Sequence, residues 1–283
     1  MTVPTETFSS PISTMVARSW LLVSAARPDL FDHAAAAGAD AMVLDLEDAV
    51  LTPGKPAARG HAARWLHGGG RAWVRINAAS TPNWLEDCRL LQSMPEASGV
   101  VLAKTESVDQ IERTVEFLGT QCPVVALIES ALGLEQAGAI AAHPATVRLA
   151  FGVGDFRRDT GVGDEPIALA YARSRLVIAS RAAGIAGPID GPTLDAQPHV
   201  LAQDCTRTVS MGMTGKLTLR PEQVGSINTM LGPSVADRQW AQAVIDELGE
   251  TGERIGDGSD LPRLARAKHI RDLAGALNYP TLP

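Results

Sequence analysis

Oxygen-donor side chains stand where short apolar runs of this chain end. Asp45, Glu47 and Asp48 fall in LDLEDAV, Glu129 in LIES, Asp155 in FGVGD, and Asp190 and Asp195 in DGPTLD. A few cations share the pattern. Arg75, with Asn77, falls in VRIN, Lys104 follows GVVLA, and Lys216 and Arg220 belong to the last run. Several carboxylates with no His or Cys among them point to a hard cation. Mg²⁺ fits: it takes one or two protein carboxylates, keeps several waters and leaves room for substrate oxygens. Glu129 and Asp155 end successive runs and are the expected metal pair. Asp45, Glu47 and Asp48 come from a more distant run and are expected to hold the metal's waters or neighbouring side chains. Arg75 either binds a substrate carboxylate through two hydrogen bonds, as guanidinium geometry favours, or serves as counter-ion to the acidic cluster. Lys104 is a site group or a solvated loop charge. Any one carboxylate after a strand can also cap the helix that follows.

Residues so far apart in sequence need elements that bring them to one place. Eight short runs read as strands, at 20–23, 41–46, 72–76, 99–102, 124–128, 147–151, 188–190 and 212–219. Several are continuously apolar, as expected of strands covered on both faces. Helical stretches separate them, at 30–37, 56–66, 82–91, 108–118, 132–142, 166–183 and 198–211, and another follows at 221–231. Gly38 and Gly184 are placed to end helices, and Pro56 to begin one. Strands alternating with helices imply a parallel sheet, and eight strands close a barrel. The expected fold is therefore α/β, a (β/α)8 TIM barrel over 18–232 with its active site at the strand C-termini. A flexible lead-in (1–17) precedes it. A C-terminal helical extension (233–283) follows, with helices at 235–248 and 261–277, and reads as a lid or an oligomer arm. The alternative, an open doubly wound sheet, lacks GxGxxG after its first strand. Gly152-Val153-Gly154 reads as a turn.

Composition excludes several classes. The 283 residues are 45% hydrophobic and carry a formal charge of −7, with no Lys/Arg cluster to meet nucleic acid. No apolar run approaches the ~20 residues of a membrane span. Cys88, Cys122 and Cys205 are far apart and read as free thiols, and the N-terminus lacks the features of a signal peptide, so a cytoplasmic protein is expected. The six histidines fall in predicted helices or helix ends, away from the strand C-termini. No GxSxG, HExxH, Walker loop or Cys–His constellation is present.

In order along the chain stand RSWLLVSAARPDLF, GADAMVLDLEDAVLTPGKPAAR, WVRIN, LAKTES, VVALIESALGL, LAFGVGDF, YARSRLVIASRAAGIAGPIDGPTLD and GKLTLRPEQV. Together they resemble the HpcH/HpaI aldolase and citrate lyase β-subunit family. The resemblance implies a (β/α)8 barrel, usually a homo-oligomer, with Mg²⁺ on Glu129 and Asp155. It implies that Arg75 meets the substrate carboxylate or carbonyl and that Glu47 and Asp48 support the metal's waters. Lys55 and Arg59, beside a helix N-terminus, would face the phosphates of CoA; otherwise they are a surface pair. Asp260, in Asp260-Leu261-Pro262, matches an Asp that some relatives deliver to a neighbouring subunit; otherwise it caps the last helix. The implied reaction is aldol-type cleavage or condensation of a small carboxylated 3-hydroxyacyl-CoA thioester such as malyl-, citramalyl- or citryl-CoA. Departures leave two alternatives: a metal-dependent aldolase on free keto or hydroxy acids, and a non-catalytic acyl-CoA-binding barrel. Val23-Ser24-Ala25 stands where VPG is frequent, Gly154 where Glu precedes the metal Asp, Ala103 before Lys104 where Pro is common, and Leu219-Arg220-Pro221 where IHP is usual.

Overall fold

Alternation along each strand decides which side chains fill the barrel and which face the helices. The computed structural model describes residues 12–280. Its strands are β1 (Ser19–Ser24), β2 (Ala41–Asp45), β3 (Trp73–Ile76), β4 (Val100–Leu102), β5 (Val124–Ile128), β6 (Thr146–Phe151), β7 (Ile189–Asp190) and β8 (Gly215–Thr218). They pair in sequence order, all parallel, and β8 closes on β1 through Ser19–Lys216, Trp20–Leu217 and Leu21–Thr218. Trp20, Leu22, Val43, Trp73, Val101, Val125, Leu127, Ala150, Ile189 and Leu217 form one buried cluster, the barrel interior. The alternate residues, among them Leu21, Leu44, Val74, Leu102, Ile128 and Phe151, join a larger cluster under the helices. Apolar contact on both faces explains the continuous apolar runs. Each fully buried Leu, Ile or Phe contributes roughly 1.5–3 kcal/mol, so the two layers carry most of the driving force.

The helices are α1 (Phe31–Ala35), α2 (Lys55–His67), α3 (Pro82–Gln92), α4 (Val108–Leu118), α5 (Ala131–Ala142), α6 (Val153–Thr160), α7 (Ala170–Ala182), α8 (Pro198–Ser210), α9 (Val224–Leu231), α10 (Val235–Leu248) and α11 (Asp260–Ala276). Local chemistry starts several of them. Ser107 and Gln110 form a capping box at α4, Ser130 accepts from the Gly133 amide at α5, and Ser234 and Asp237 cap α10. One expectation fails: the Gly152-Val153-Gly154 turn is the entry to α6. That helix is only eight residues long and ends at Gly161, whose φ of 73° is left-handed. The last strand is shorter than 212–219, because Gly212, at φ 83°, still belongs to the turn that leaves α8.

At the N-terminal end of the barrel, Arg148 is fully buried. Its guanidinium donates to Ala17 O at 2.6 Å, Gly187 O at 2.9 Å, Thr14 O at 3.2 Å and Thr214 Oγ1 at 2.8 Å. The end of the expected lead-in is thus tied into the barrel floor; residues 1–11 of it lie outside the described residues. α10 and α11 pack on each other around Ala241, Val244, Ile245, Leu248, Leu264, Ala267 and Ile270, a cluster separate from the barrel's. After α11 the chain returns to the floor, where the Tyr279 hydroxyl accepts from Arg18 at 3.1 Å. Among the described residues no helix is long and apolar enough to cross a membrane.

Candidate active site

The inward parity that buries Val43, Trp73, Leu127 and Ala150 continues one step to Asp45, Arg75, Glu129 and Gly152. These four stand on the inside of the barrel at the C-terminal mouth. Gly152 lies directly against Glu129: a Cβ there would lie 2.4 Å from Glu129 Oε2. The glycine read as a turn residue is therefore needed for space beside the carboxylate, with an ordinary φ of −83°.

Arg75 is clamped side-on by Asp45, through Nε–Oδ1 at 2.7 Å and Nη2–Oδ2 at 2.6 Å. Its Nη1 lies 3.5 Å from Glu47 Oε2 and faces the mouth. Arg75 is thus both counter-ion to Asp45 and the holder of a free end that can meet an anion. Burial opposes its charge, but Asp45, Glu47 and Glu129 outweigh burial and hold it above its ordinary range.

Lys104 ties the mouth together. Its amide donates to Glu129 Oε1 at 2.8 Å, and its ammonium bonds Glu47 and lies 3.2 Å from Asp48 Oδ2 and 3.4 Å from Asp155 Oδ2. Lys104 holds a φ of 49°, a left-handed conformation costly for a side chain with a Cβ. That strain aims amide and ammonium at carboxylates on three other elements. The solvated-charge reading of Lys104 is therefore replaced by a site role; a positive charge among strand-end carboxylates was the available signal. Burial acts against its ammonium, but the Glu47 contact prevails and raises its pKa.

Glu129 is 5% exposed. Burial, above all, pushes its carboxyl up to about 7, against the opposing Lys104 amide and charge. Burial also raises Glu47. For Asp48 burial acts the same way, but its contacts with Glu47 and Lys104 outweigh it and the pKa falls. Asp155 sits in the first turn of α6 with Oδ1 3.2 Å from Arg158 Nη1. Among the described residues its buried Oδ2 has no hydrogen-bond partner, Lys104 being near enough for ion pairing only.

Glu129, Asp155, Asp48 and Arg75 line one cleft of about 180 Å³, walled by Leu22, Leu127, Val153, Pro192, Leu217 and Leu219. Two hard carboxylates, one with an orphaned buried oxygen, suit a small divalent cation that keeps waters. Among the described residues no group of three His, Cys, Asp or Glu side chains forms a fuller ligand set.

Lys55 and Arg59 do not face solvent as a phosphate pair. Lys55 is 6% exposed, and its ammonium donates to Leu46 O at 2.7 Å and Glu47 O at 2.8 Å. Arg59 bonds Asp87 at 2.7 Å and Asn83, while Asp87 accepts from the Asn77 amide and side chain. Asn77 in turn donates to Leu46 O at 3.0 Å. Carbonyls of the loop after β2 capture Lys55, and Arg59 reaches the same loop through Asp87 and Asn77, so the pair braces the loop that carries Glu47 and Asp48. Asp260 also lies apart. It accepts from the Gly256 amide at 2.8 Å on the α10–α11 loop and has no hydrogen bond or ion pair to the mouth among the described residues. Asp190 and Lys216 point outward to the helices, Asp195 bonds the Gln197 amide before α8, and Arg220 reaches Glu222 and Leu194 O.

Comparison with known proteins gives the family. The family model of HpcH/HpaI aldolase/citrate lyase matches residues 18–221, and that of the HpcH/HpaI aldolase C-terminal domain matches 236–278. A citrate lyase subunit beta-like protein of Deinococcus radiodurans is 31% identical over 89% of this chain and 95% of its own. An L-malyl-CoA/beta-methylmalyl-CoA lyase of Cereibacter sphaeroides is 30% identical over 83% of this chain and 86% of its own. The solved structure of CitE from Mycobacterium tuberculosis, in complex with magnesium, acetoacetate and coenzyme A, superposes with a TM-score of 0.77 at 29% identity, covering 92% of this chain and 99% of that one. Barrel, acidic mouth and these matches converge: the chain belongs to the HpcH/HpaI aldolase/citrate lyase family and is a lyase of that group.

Proposed function

We propose that this protein is a Mg²⁺-dependent carbon–carbon lyase acting on a small carboxylated 3-hydroxyacyl-CoA thioester of the malyl-, citramalyl- or citryl-CoA type. The observation that carries the reading is the Glu129–Asp155 pair, with its orphaned oxygen, facing Arg75 across a cleft sized for a short keto acid. Glu129 and Asp155 would hold the metal, which supplies Lewis acidity to the oxygens of the acid portion. The free end of Arg75, fixed by Asp45, places positive charge where negative charge grows during cleavage. Asp48, ionised at neutral pH and partly exposed at the rim, is positioned to take the hydroxyl proton as the carbon–carbon bond breaks. Electrons of that bond pass to the thioester carbonyl as an enolate, and the hydroxyl carbon leaves as a 2-keto acid. Lys104 keeps Glu47, Asp48 and Asp155 together despite their like charge. Asp260, remote from its own mouth, would serve the mouth of a second copy in a homo-oligomer.

The test is product analysis by mass spectrometry. Metal-depleted protein is mixed with acetyl-CoA or propionyl-CoA and glyoxylate, pyruvate or oxaloacetate, with and without Mg²⁺, and the matching thioesters are assayed for cleavage. Mg²⁺-dependent condensation or cleavage is the expected result. A second reading, an aldolase on free keto and hydroxy acids, draws on Lys55 and Arg59 being consumed inside the protein. Turnover of free acids with no thioester turned over would favour it. No turnover of either kind would sink both.

A further inference from the structure

Outside the barrel wall, between α6, α7, α8 and the ends of β7 and β8, lies a second cavity of about 140 Å³. Arg157, Arg173, Arg207 and Lys216 line it, against Asp164 and Asp204. It abuts the mouth cleft, since Val153 and Pro192 line both.

The cations here have more donors than acceptors. Lys216 is 2% exposed, and its ammonium, with three N–H bonds, donates only to Gly191 O at 2.8 Å among the described residues. Arg173 is also buried; its Nε bonds Asp190 Oδ1 at 2.9 Å, and its two terminal nitrogens have no acceptor among the described residues. Arg157 Nε is buried without a partner among the described residues, and its Nη2 lies 3.9 Å from Asp164 Oδ2. Asp204 is already engaged, by Arg207 Nη1 at 2.5 Å and by the Thr193 hydroxyl at 2.7 Å. The buried Arg157 Nε left unsatisfied costs free energy, and four cations face three carboxylates, Asp164, Asp190 and Asp204, leaving positive charge in excess. An oxyanion corrects both.

We infer that this cavity is a binding site for a small oxyanion, of the phosphate or carboxylate class, held by Arg157, Arg173 and Lys216 with Arg207 at its outer edge. Its size admits a phosphate or a short carboxylate and excludes a nucleotide. Arg157 and the metal-pair residue Asp155 share α6, so a bound anion ties that helix to α7 and β8. The inference is independent of the lyase reading, because it concerns anion binding in the absence of metal and substrate.

The experiment is calorimetric titration of the full chain, free of metal, with inorganic phosphate at constant ionic strength, with acetate as a parallel arm. Saturable binding is expected, weakened about tenfold by Arg157→Gln and by Arg207→Gln through loss of a charge-assisted contact, and unchanged in Arg75→Gln. Tighter binding of phosphate assigns the phosphate class, and tighter binding of acetate the carboxylate class. Two results overturn the inference: no saturable binding of either anion, or binding that Arg75→Gln abolishes and Arg157→Gln leaves intact. A rise in Tm with phosphate that is linear and equal in wild type and Arg157→Gln also counts against it, being the general effect of an excluded salt.

Discussion

Arg75 at one end of the barrel and Arg148 at the other are treated in opposite ways. Arg75, at the mouth, is clamped by Asp45 and stands beside Glu47, and its charge is stabilised beyond the ordinary. Arg148, at the floor, is met among the described residues only by carbonyls and a hydroxyl and by the face of Trp20; burial pushes its pKa down to about 9. Around Arg148 the floor offers neutral acceptors, and the neighbouring Arg18 is already paired with Asp40 at 2.8 Å. A mouth of opposed charges, with donors and acceptors left over, is arranged for a ligand. The carboxylates and cations with contacts left to make thus gather at the mouth, the end that carries the active site in such barrels.

The largest expected effect is at the mouth. Glu129→Ala and Asp155→Ala should each lower kcat/KM by about 10³-fold or more, with circular dichroism and Tm showing a folded protein. Arg75→Lys keeps the charge but loses the two-bond clamp on Asp45. A fall in kcat/KM of about a hundredfold is expected, and wild-type kinetics would break the contrast between the two arginines. Arg148→Met should do the reverse. Leaving buried carbonyls unpaired costs about 2–4 kcal/mol of stability, offset in part by removing an unpaired charge. Denaturant melts should record that loss while activity per folded molecule is unchanged.

The pH dependence sharpens the same comparison. The folded pKa of Glu129, about 7, lies above its ordinary 4.5. The folded, metal-free protein therefore binds the extra proton between these values. Its contribution to stability is fully present below pH 4.5 and lost as pH rises through 7, up to about 3 kcal/mol. Mg²⁺ competes with that proton, so affinity for the metal should climb over the same interval and level off above it. Thermal melts across this range, with and without Mg²⁺, check both signs; a flat affinity profile would mean that Glu129 does not hold the ion. The smallest effect is expected of Lys104→Gly, which relieves the left-handed backbone while removing the ammonium. Little change in Tm with a several-fold loss of activity would distinguish its positioning role from a structural one.

Much of the frame was legible because the barrel repeats one physical rule. Eight apolar runs announced eight strands, and their endings announced Asp45, Arg75 and Glu129, since parity alone turns these inward. Asp155, Glu47 and Asp48 stood out at the same strand ends, and the family resemblance implied the same roles for them. What escaped depends on contacts rather than pattern. α6 is short and begins at a glycine, so it looked like a turn. Gly152 matters through its distance from Glu129, which no local property encodes. Lys55 and Arg59 sit beside a helix start that would suit phosphate, yet carbonyls of the loop after β2 and Asp87 claim them first. Lys104 was visible as a charge, but its left-handed backbone and three carboxylate partners exist only once four strands are assembled.

The central claim is that Glu129 and Asp155 form one magnesium site. Calorimetric titration of the metal-free protein with Mg²⁺, in the presence of pyruvate, beside Glu129→Gln and Asp155→Asn, tests it most directly. The account predicts one ion per chain in the wild type and no measurable binding in either variant, both still folded. Undiminished binding in both variants would contradict it and place the metal elsewhere.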